Sequence, residues 1–352
     1  MANLVAAAVT AFVLSFLILP VIIKYSLRKN LVDVPGRRKI HKKITPSLGG
    51  IAIFIGFFLS VIIWIDFPQL SEIKFLLVPL FIVFVIGVRD DLVPLRAYVK
   101  LFGQIVAIGF LMFFFDERLT GLYDVFGIGE FPLWLSYLLT LATIIVVTNA
   151  FNLIDGLDGL AGTISSVALL FFGVWFFLVG DLVFSVLAFC MLGSILAFLI
   201  FNWDPSEIFM GDTGALVIGL MLSIMTIHFI NENYNLSRYD SYKFTASVAT
   251  AACVIIIPLI DTARIIILRL SKGQSPLKPD KSHIHHAIMR LGMTHAQTTL
   301  ILATVHVIYI GLAIAAYKLS ENWVLLGLLV FSIILSVFLD RLILRRKTVK
   351  DI

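Results

Sequence analysis

Polar residues in this chain are confined to short intervals between long apolar runs, and the runs show no two-residue alternation. Eleven runs stand out, centred on residues 3–23, 50–65, 75–88, 98–115, 133–150, 160–179, 183–201, 215–230, 244–268, 298–317 and 322–344. A membrane-spanning helix needs roughly 20 mostly apolar residues; the second and third runs are the short ones. Strands of a membrane barrel would alternate between lipid-facing and lumen-facing residues, and these do not. The pattern therefore predicts an all-α, polytopic integral membrane protein of about 11 transmembrane helices, with residues 1–352 forming one transmembrane domain.

Composition agrees. The 352 residues are 60% hydrophobic and only 14% charged, with a mean hydropathy of +1.03. A soluble domain of this length could not hide that much apolar surface. Cys190 and Cys253 both fall inside apolar runs, so no disulfide framework is expected.

Charge gives a direction. No basic residue precedes the first run and a basic loop follows it, the pattern of an uncleaved first span with its N-terminus outside. Inner loops then cover residues 24–49, 89–100, 149–160, 202–214 and 269–297, and the tail after 340 is cytoplasmic. Of the 27 Lys and Arg, 22 fall on that side and five (Lys74, Arg118, Arg238, Lys243, Lys318) on the other, as the positive-inside bias requires. The net charge of +5 is thus mainly a topological signature with some attraction for anionic lipid headgroups. No part outside the membrane is large enough to bind nucleic acid.

The unusual polar residues gather on the same inner side. Asp90 and Asp91 adjoin in GVRDDL; Asn149, Asn152, Asp155 and Asp158 follow at three-residue intervals in NAFNLIDGLDGLAG; Asp212 sits between glycines in FMGDTGAL; His283, His285 and His286 end SPLKPDKSHIHH. On a helix, residues three apart share a face, so the second block would form a polar stripe. Each block alone has a plain structural reading: a solvated helix end, a break between spans, an N-cap, surface histidines. Asp261 and Arg264 read as a neutralising pair, and Arg269 as a side chain snorkelling at the membrane edge. Four acidic or histidine blocks on one side are harder to dismiss, because a carboxylate within a membrane costs about 2.5–3.5 kcal/mol on insertion scales.

Oxygen ligands favour Mg2+ or Mn2+ over zinc. Acidic residues facing Arg269, Lys278, Lys281 and the basic run 37–43 suit a metal-bound diphosphate and phosphoryl transfer. At a membrane surface one substrate would be a lipid and the other a cytosolic nucleotide. An ion-coupled transporter would instead need polar residues midway along its spans, and a non-enzymatic lipid-binding protein would be expected to have lost one of the blocks.

Five blocks in order, DVPGRRKIHKKITPSLGG, GVRDDL, NAFNLIDGLDGLAG, FMGDTGAL and SPLKPDKSHIHH, resemble the polyprenyl-phosphate N-acetylhexosamine-1-phosphate transferases that begin bacterial O-antigen, common-antigen or wall teichoic acid synthesis. The resemblance covers essentially the whole chain. It implies a multi-pass protein of the bacterial cytoplasmic membrane, its active site facing the cytoplasm, that uses UDP-GlcNAc, undecaprenyl phosphate and Mg2+ (or Mn2+), releases UMP, responds to tunicamycin-type nucleosides and forms a homodimer. By the same resemblance, Asp90, Asp91, Asp155 and Asp158 are catalytic, and Asp91 and Asp212 bind metal. Asn152, Asp155, Asp158, Arg269, His283, His285 and His286 bind the nucleotide sugar, and Lys39, His41 and Asp90 meet the lipid phosphate. Relatives that transfer phospho-MurNAc-pentapeptide carry three consecutive histidines; Ile284 interrupts the run here, a pattern similar to the GlcNAc-1-phosphate branch.

Overall fold

A computed structural model of the protein describes residues 2–33, 45–271, 273, 274 and 283–350. The architecture is all-α. The helices are α1 (Ala2–Arg28), α2 (Gly49–Trp64), α3 (Phe67–Leu92), α4 (Ala97–Phe114), α5 (Leu133–Ile154), α6 (Leu160–Val179), α7 (Leu182–Asn202), α8 (Gly211–Asn235), α9 (Ser247–Val254), α10 (Ile256–Leu270), α11 (Ile284–Arg290), α12 (His295–Ala315) and α13 (Glu321–Lys350). Among the described residues, nine helices are long and apolar enough to cross a membrane, α9 and α10 together form a bent pair, and α2 is a shorter apolar helix of 16 residues. Ten of the eleven apolar runs each fall on one of these helices, and the run at 244–268 falls on the bent pair α9 and α10.

Helix α8 is the axis of the bundle: 94% of its most apolar window is buried. Its packing depends on small residues, because neighbouring membrane helices gain most where their backbones approach closely. A Cβ on Gly50 of α2 would lie 2.1 Å from the Gly214 nitrogen, and one on Gly87 of α3 would lie 2.4 Å from the Thr213 Cα. Both contacts are in the first turn of α8, so α2 and α3 are clamped against it there. The clamp is extended by backbone bonds from Gly49 and Gly50 N–H to the Phe209 and Met210 carbonyls, and from Phe209 N–H to Pro46. Just before it, Val32–Asp33 pairs antiparallel with Thr45–Pro46; the sequence between them includes Lys39 and His41. Those two residues lie outside the described residues.

The run at 244–268 is not one straight span. It breaks at Ile255, and α10 leaves α9 at 85°. Pro258 supplies the cause: with no N–H it cannot bond the carbonyl four residues back, which is that of Val254. The buried His306 takes that carbonyl instead, donating from Nε2 at 2.7 Å. A freed backbone group inside a membrane protein needs such a partner.

The polar stripe expected at 149–158 is also only half helical. Helix α5 ends at Ile154, with Asp155 as its C-cap residue, and the chain turns through Gly156–Gly159 into α6. Gly159 adopts φ +72°, and its N–H donates to Asn202 Oδ1 at 2.9 Å, while Asn202 Nδ2 donates to the Ile208 carbonyl at 2.8 Å. One buried amide thus fastens the 155–159 turn to the α7–α8 connection. At the far end of the bundle, His228 of α8 bridges Glu117 and Asp181 at 2.9 and 2.7 Å.

Candidate functional site

The end of α3, the start of α4, the end of α5 and the start of α8 converge at one end of the bundle. Asp91 is spent on the start of α8. Its Oδ1 accepts the Asp212 N–H at 2.8 Å, and its Oδ2 accepts the Thr213 N–H at 3.0 Å and the Thr213 hydroxyl at 2.5 Å. The first N–H groups of a helix have no partner of their own and favour negative charge, so Asp91 caps α8 from a different helix. Gly211 makes this approach feasible: it adopts φ +71°, and a Cβ there would lie 2.6 Å from Asp91 Oδ2.

Asp212, raised on that turn, meets two side chains. Lys100 Nζ of α4 donates to its Oδ2 at 2.6 Å, and Asn152 Nδ2 of α5 donates to its Oδ1 at 2.6 Å. The same ammonium reaches Asp90 Oδ2 at 2.8 Å, and Asp90 Oδ1 accepts the Leu95 N–H at 2.5 Å. Lys100 therefore ties Asp90 to Asp212. The sequence marked this lysine only as one of many inner-loop cations; its position in the first turn of α4, close after the Asp90–Asp91 pair, is what brings it back.

Asp155 stands beside this group and accepts no hydrogen bond among the described residues. Burial first, and then the charges of Asp212, Asp91 and Asp158, push its carboxyl well above the ordinary range. Four carboxyl groups (Asp90, Asp91, Asp155, Asp212) thus gather about one ammonium, which among the described residues meets only Asp90 and Asp212. An excess of negative charge of this kind is compensated by a cation, and an all-oxygen set with an amide nearby fits a hard divalent ion.

Asp158 faces elsewhere. Its Oδ2 is 3.1 Å from His295 Nδ1, and its backbone carbonyl accepts the Thr299 hydroxyl at 3.0 Å. With Asp204 it forms a second group, in which one ligand atom from each of Asp158, Asp204 and His295 lies within 4.8 Å of the others. A set containing imidazole suits a transition metal better than Mg2+. Neither Asp204 nor His295 was singled out in the sequence, since their spacing to Asp158 is set only by the fold. Asn149 turns away to α4, donating to Gln104 Oε1 at 3.0 Å.

The histidine block lies against the 155–159 turn. His283 is the N-cap residue of α11, and the His283 and His285 rings stack with centroids 5.4 Å apart at 12°. A Cβ on Gly156 would come 3.2 Å from His285 Nε2. His283 and His285 are buried and His286 is partly exposed. Burial pulls the His285 imidazole down to about 3, so that ring is neutral at working pH. Arg269 is buried at the end of α10, 8% exposed. The structure gives Asp261 to His283 and Ile284, and Arg264 to Asp340 at 2.5 Å. Lys278, Asp280 and Lys281 lie outside the described residues.

An acidic centre around one lysine at one end of a helical membrane bundle has the charge arrangement that phosphoryl transfer at a membrane surface would use. Residues 73–230, which span α3 to α8, match the model of glycosyl transferase family 4. A probable undecaprenyl-phosphate N-acetylglucosaminyl 1-phosphate transferase of Bacillus subtilis is 33% identical over 341 residues, covering 95% of this chain and 90% of that protein. The undecaprenyl-phosphate alpha-N-acetylglucosaminyl 1-phosphate transferase of Escherichia coli K12 is 31% identical, with coverage of 89% and 84%. A decaprenyl-phosphate N-acetylglucosaminephosphotransferase of Mycolicibacterium smegmatis is 31% identical, with coverage of 84% and 76%. The chain belongs to glycosyl transferase family 4, in its branch of polyprenyl-phosphate N-acetylglucosaminyl 1-phosphate transferases.

Proposed function

We propose that this protein transfers GlcNAc-1-phosphate from UDP-GlcNAc to undecaprenyl phosphate, yielding undecaprenyl-diphospho-GlcNAc and UMP. The observation that carries the proposal is the Lys100 ammonium held between Asp90 and Asp212 beside the Asp155 carboxyl, which has no hydrogen bond among the described residues. An oxygen of the lipid phosphate forms a bond to the sugar-linked phosphorus, and the bond from that phosphorus to the UMP oxygen breaks. In phosphoryl transfer the protein contributes mainly position and charge neutralisation. A phosphate monoester has a second pKa near 6, so the lipid nucleophile is largely deprotonated at neutral pH without a base. Asp90, tied to Lys100 and Leu95, then serves to hold the ammonium toward the phosphates.

Asp155 and Asp212, with the Asn152 carbonyl oxygen, are the residues that would hold Mg2+ (or Mn2+). Asp91 contributes chiefly by fixing the α8 turn on which Asp212 stands. Such an ion supplies charge stabilisation to the diphosphate. Asp158, the histidine block and Arg269 flank the nucleotide sugar. Lys39 and His41, which lie outside the described residues, are assigned to the lipid phosphate on the resemblance alone. The reading also takes the site end of the bundle as cytoplasmic, in a bacterial inner membrane, in agreement with the positive-inside count, and the chain as a homodimer.

The test is UMP release by purified protein from UDP-GlcNAc, undecaprenyl phosphate and Mg2+. Release that depends on both the lipid and the metal is expected. No release with any UDP-N-acetylhexosamine would sink the proposal.

A further inference from the structure

Helix α10 carries a carboxylate that the proposed reaction does not use. Asp261 lies three residues beyond Pro258 and is 3% exposed. A buried carboxylate in a membrane segment is costly unless donors meet it. Two donors do, both from the start of α11: His283 Nδ1 is 2.8 Å from Asp261 Oδ2, and the Ile284 N–H donates to Oδ1 at 2.7 Å. An ionised carboxylate only accepts, so the proton in the first bond belongs to Nδ1. Nε2 is then the ring nitrogen left for another partner, and it has none among the described residues. The ring stacks on His285, 5.4 Å away, with His286 tilted beside it at 6.4 Å, and His285 Nε2 abuts Gly156 in the turn that follows Asp155. The 85° bend at Ile255 redirects α10, and Asp261, six residues beyond it, is where the redirected helix meets the histidine block.

We propose that Asp261 is a positioning residue: its carboxylate fixes the tautomer and orientation of His283, so that Nε2 is the nitrogen offered to the sugar-diphosphate of the donor. This rests on the transferase reading above. The purely mechanical alternative is that Asp261 only fastens the start of α11 through the Ile284 N–H. Asp261→Asn separates the two. The amide oxygen still serves Ile284, while the amide nitrogen donates to Nδ1 and drives the ring proton to Nε2.

Two measurements on the full-length protein in detergent decide the matter. Nitrogen-15 NMR of histidine-labelled protein is expected to show His283 protonated at Nδ1 in the wild type and at Nε2 in Asp261→Asn. In steady-state kinetics, Asp261→Asn and His283→Gln are each expected to lower kcat/KM for UDP-GlcNAc by about tenfold or more, by analogy with the loss of a carboxylate that orients a metal-bound histidine. The double variant is expected to be no worse than the poorer single variant, because residues acting through one another are not additive. Losses that multiply, wild-type kcat/KM in Asp261→Asn, or a wild-type His283 without a proton on Nδ1 would each overturn the proposal. Should the wild type release no UMP, the transferase reading fails, and the proton position on His283 still decides the positioning role.

Discussion

Asp91 and Asp155 are both acidic residues of the site, yet the structure gives them opposite work, and replacing each with asparagine separates the two. Asp91 accepts three hydrogen bonds from the first turn of α8. An asparagine there keeps the outline but turns one acceptor into a donor facing another donor, and it removes a charge that favours the helix N-terminus. A hydrogen bond to a charged group is worth about 1.5–3 kcal/mol, and a charge at a helix start about 0.3–1 kcal/mol. Asp91 is only partly buried, so a net loss of roughly 2–3 kcal/mol is expected for Asp91→Asn. Asp155 accepts from no donor among the described residues, and desolvation beside other carboxylates already works against its charge. Asp155→Asn should therefore leave stability unchanged or raise it slightly. The assay is equilibrium or thermal unfolding in detergent, with EDTA and then with Mg2+. In EDTA, Asp91→Asn should unfold more easily than the wild type and Asp155→Asn should not; adding Mg2+ should stabilise the wild type more than Asp155→Asn. The division of roles is refuted if Asp91→Asn matches the wild type in EDTA and loses only the stabilisation by Mg2+.

Lys100→Met strips the shared cation from Asp90 and Asp212 and should lower kcat for UMP release by about 10²–10³, the scale seen when one preorganised donor is removed; turnover within a few-fold of wild type would remove Lys100 from the phosphate site. The buried His285 ring has its folded pKa lowered to about 3 from 6.5, so the unfolded chain binds a proton that the folded one excludes. Stability from this group is intact above 6.5 and is lost as pH falls toward 3. At about pH 5 the loss is about 2 kcal/mol, and His285→Gln should flatten the acid limb of the unfolding curve by that amount; an unchanged slope would mean the ring is solvated. Gly50→Ala puts a methyl group 2.1 Å from the Gly214 backbone and should cost at least about 1–3 kcal/mol by overpacking, read as lower yield and easier unfolding; a normally stable variant would show that the α2–α8 contact is loose.

The apolar runs revealed the spans because a bilayer imposes length and hydrophobicity directly on sequence. The same logic hid the bend at Ile255, since the run 244–268 is apolar throughout; Pro258 was the available signal, and His306, far along the chain, is what makes the break tolerable. The acidic blocks marked the site, and Asp90, Asp91, Asn152, Asp155 and Asp212 do come together. Spacing alone could not divide their roles. Asp212, between glycines, reads as an N-cap, yet the cap of α8 comes from Asp91, 121 residues earlier in the chain. Lys100, Asp204 and His295 were silent for the same reason: each acquires its partner only through tertiary packing. Asp261 and Arg264 show the converse, two residues that look paired by spacing and that the fold gives to His283 and Asp340.

In the proposed reaction a sugar phosphate moves to the lipid, not a sugar alone. UDP-GlcNAc labelled with 32P at the sugar-linked phosphorus, incubated with purified protein, Mg2+ and undecaprenyl phosphate, tests it directly. The label is expected to enter the organic phase as lipid diphosphate in step with unlabelled UMP in the aqueous phase. Label remaining in the aqueous phase as UDP while GlcNAc reaches the lipid would contradict it.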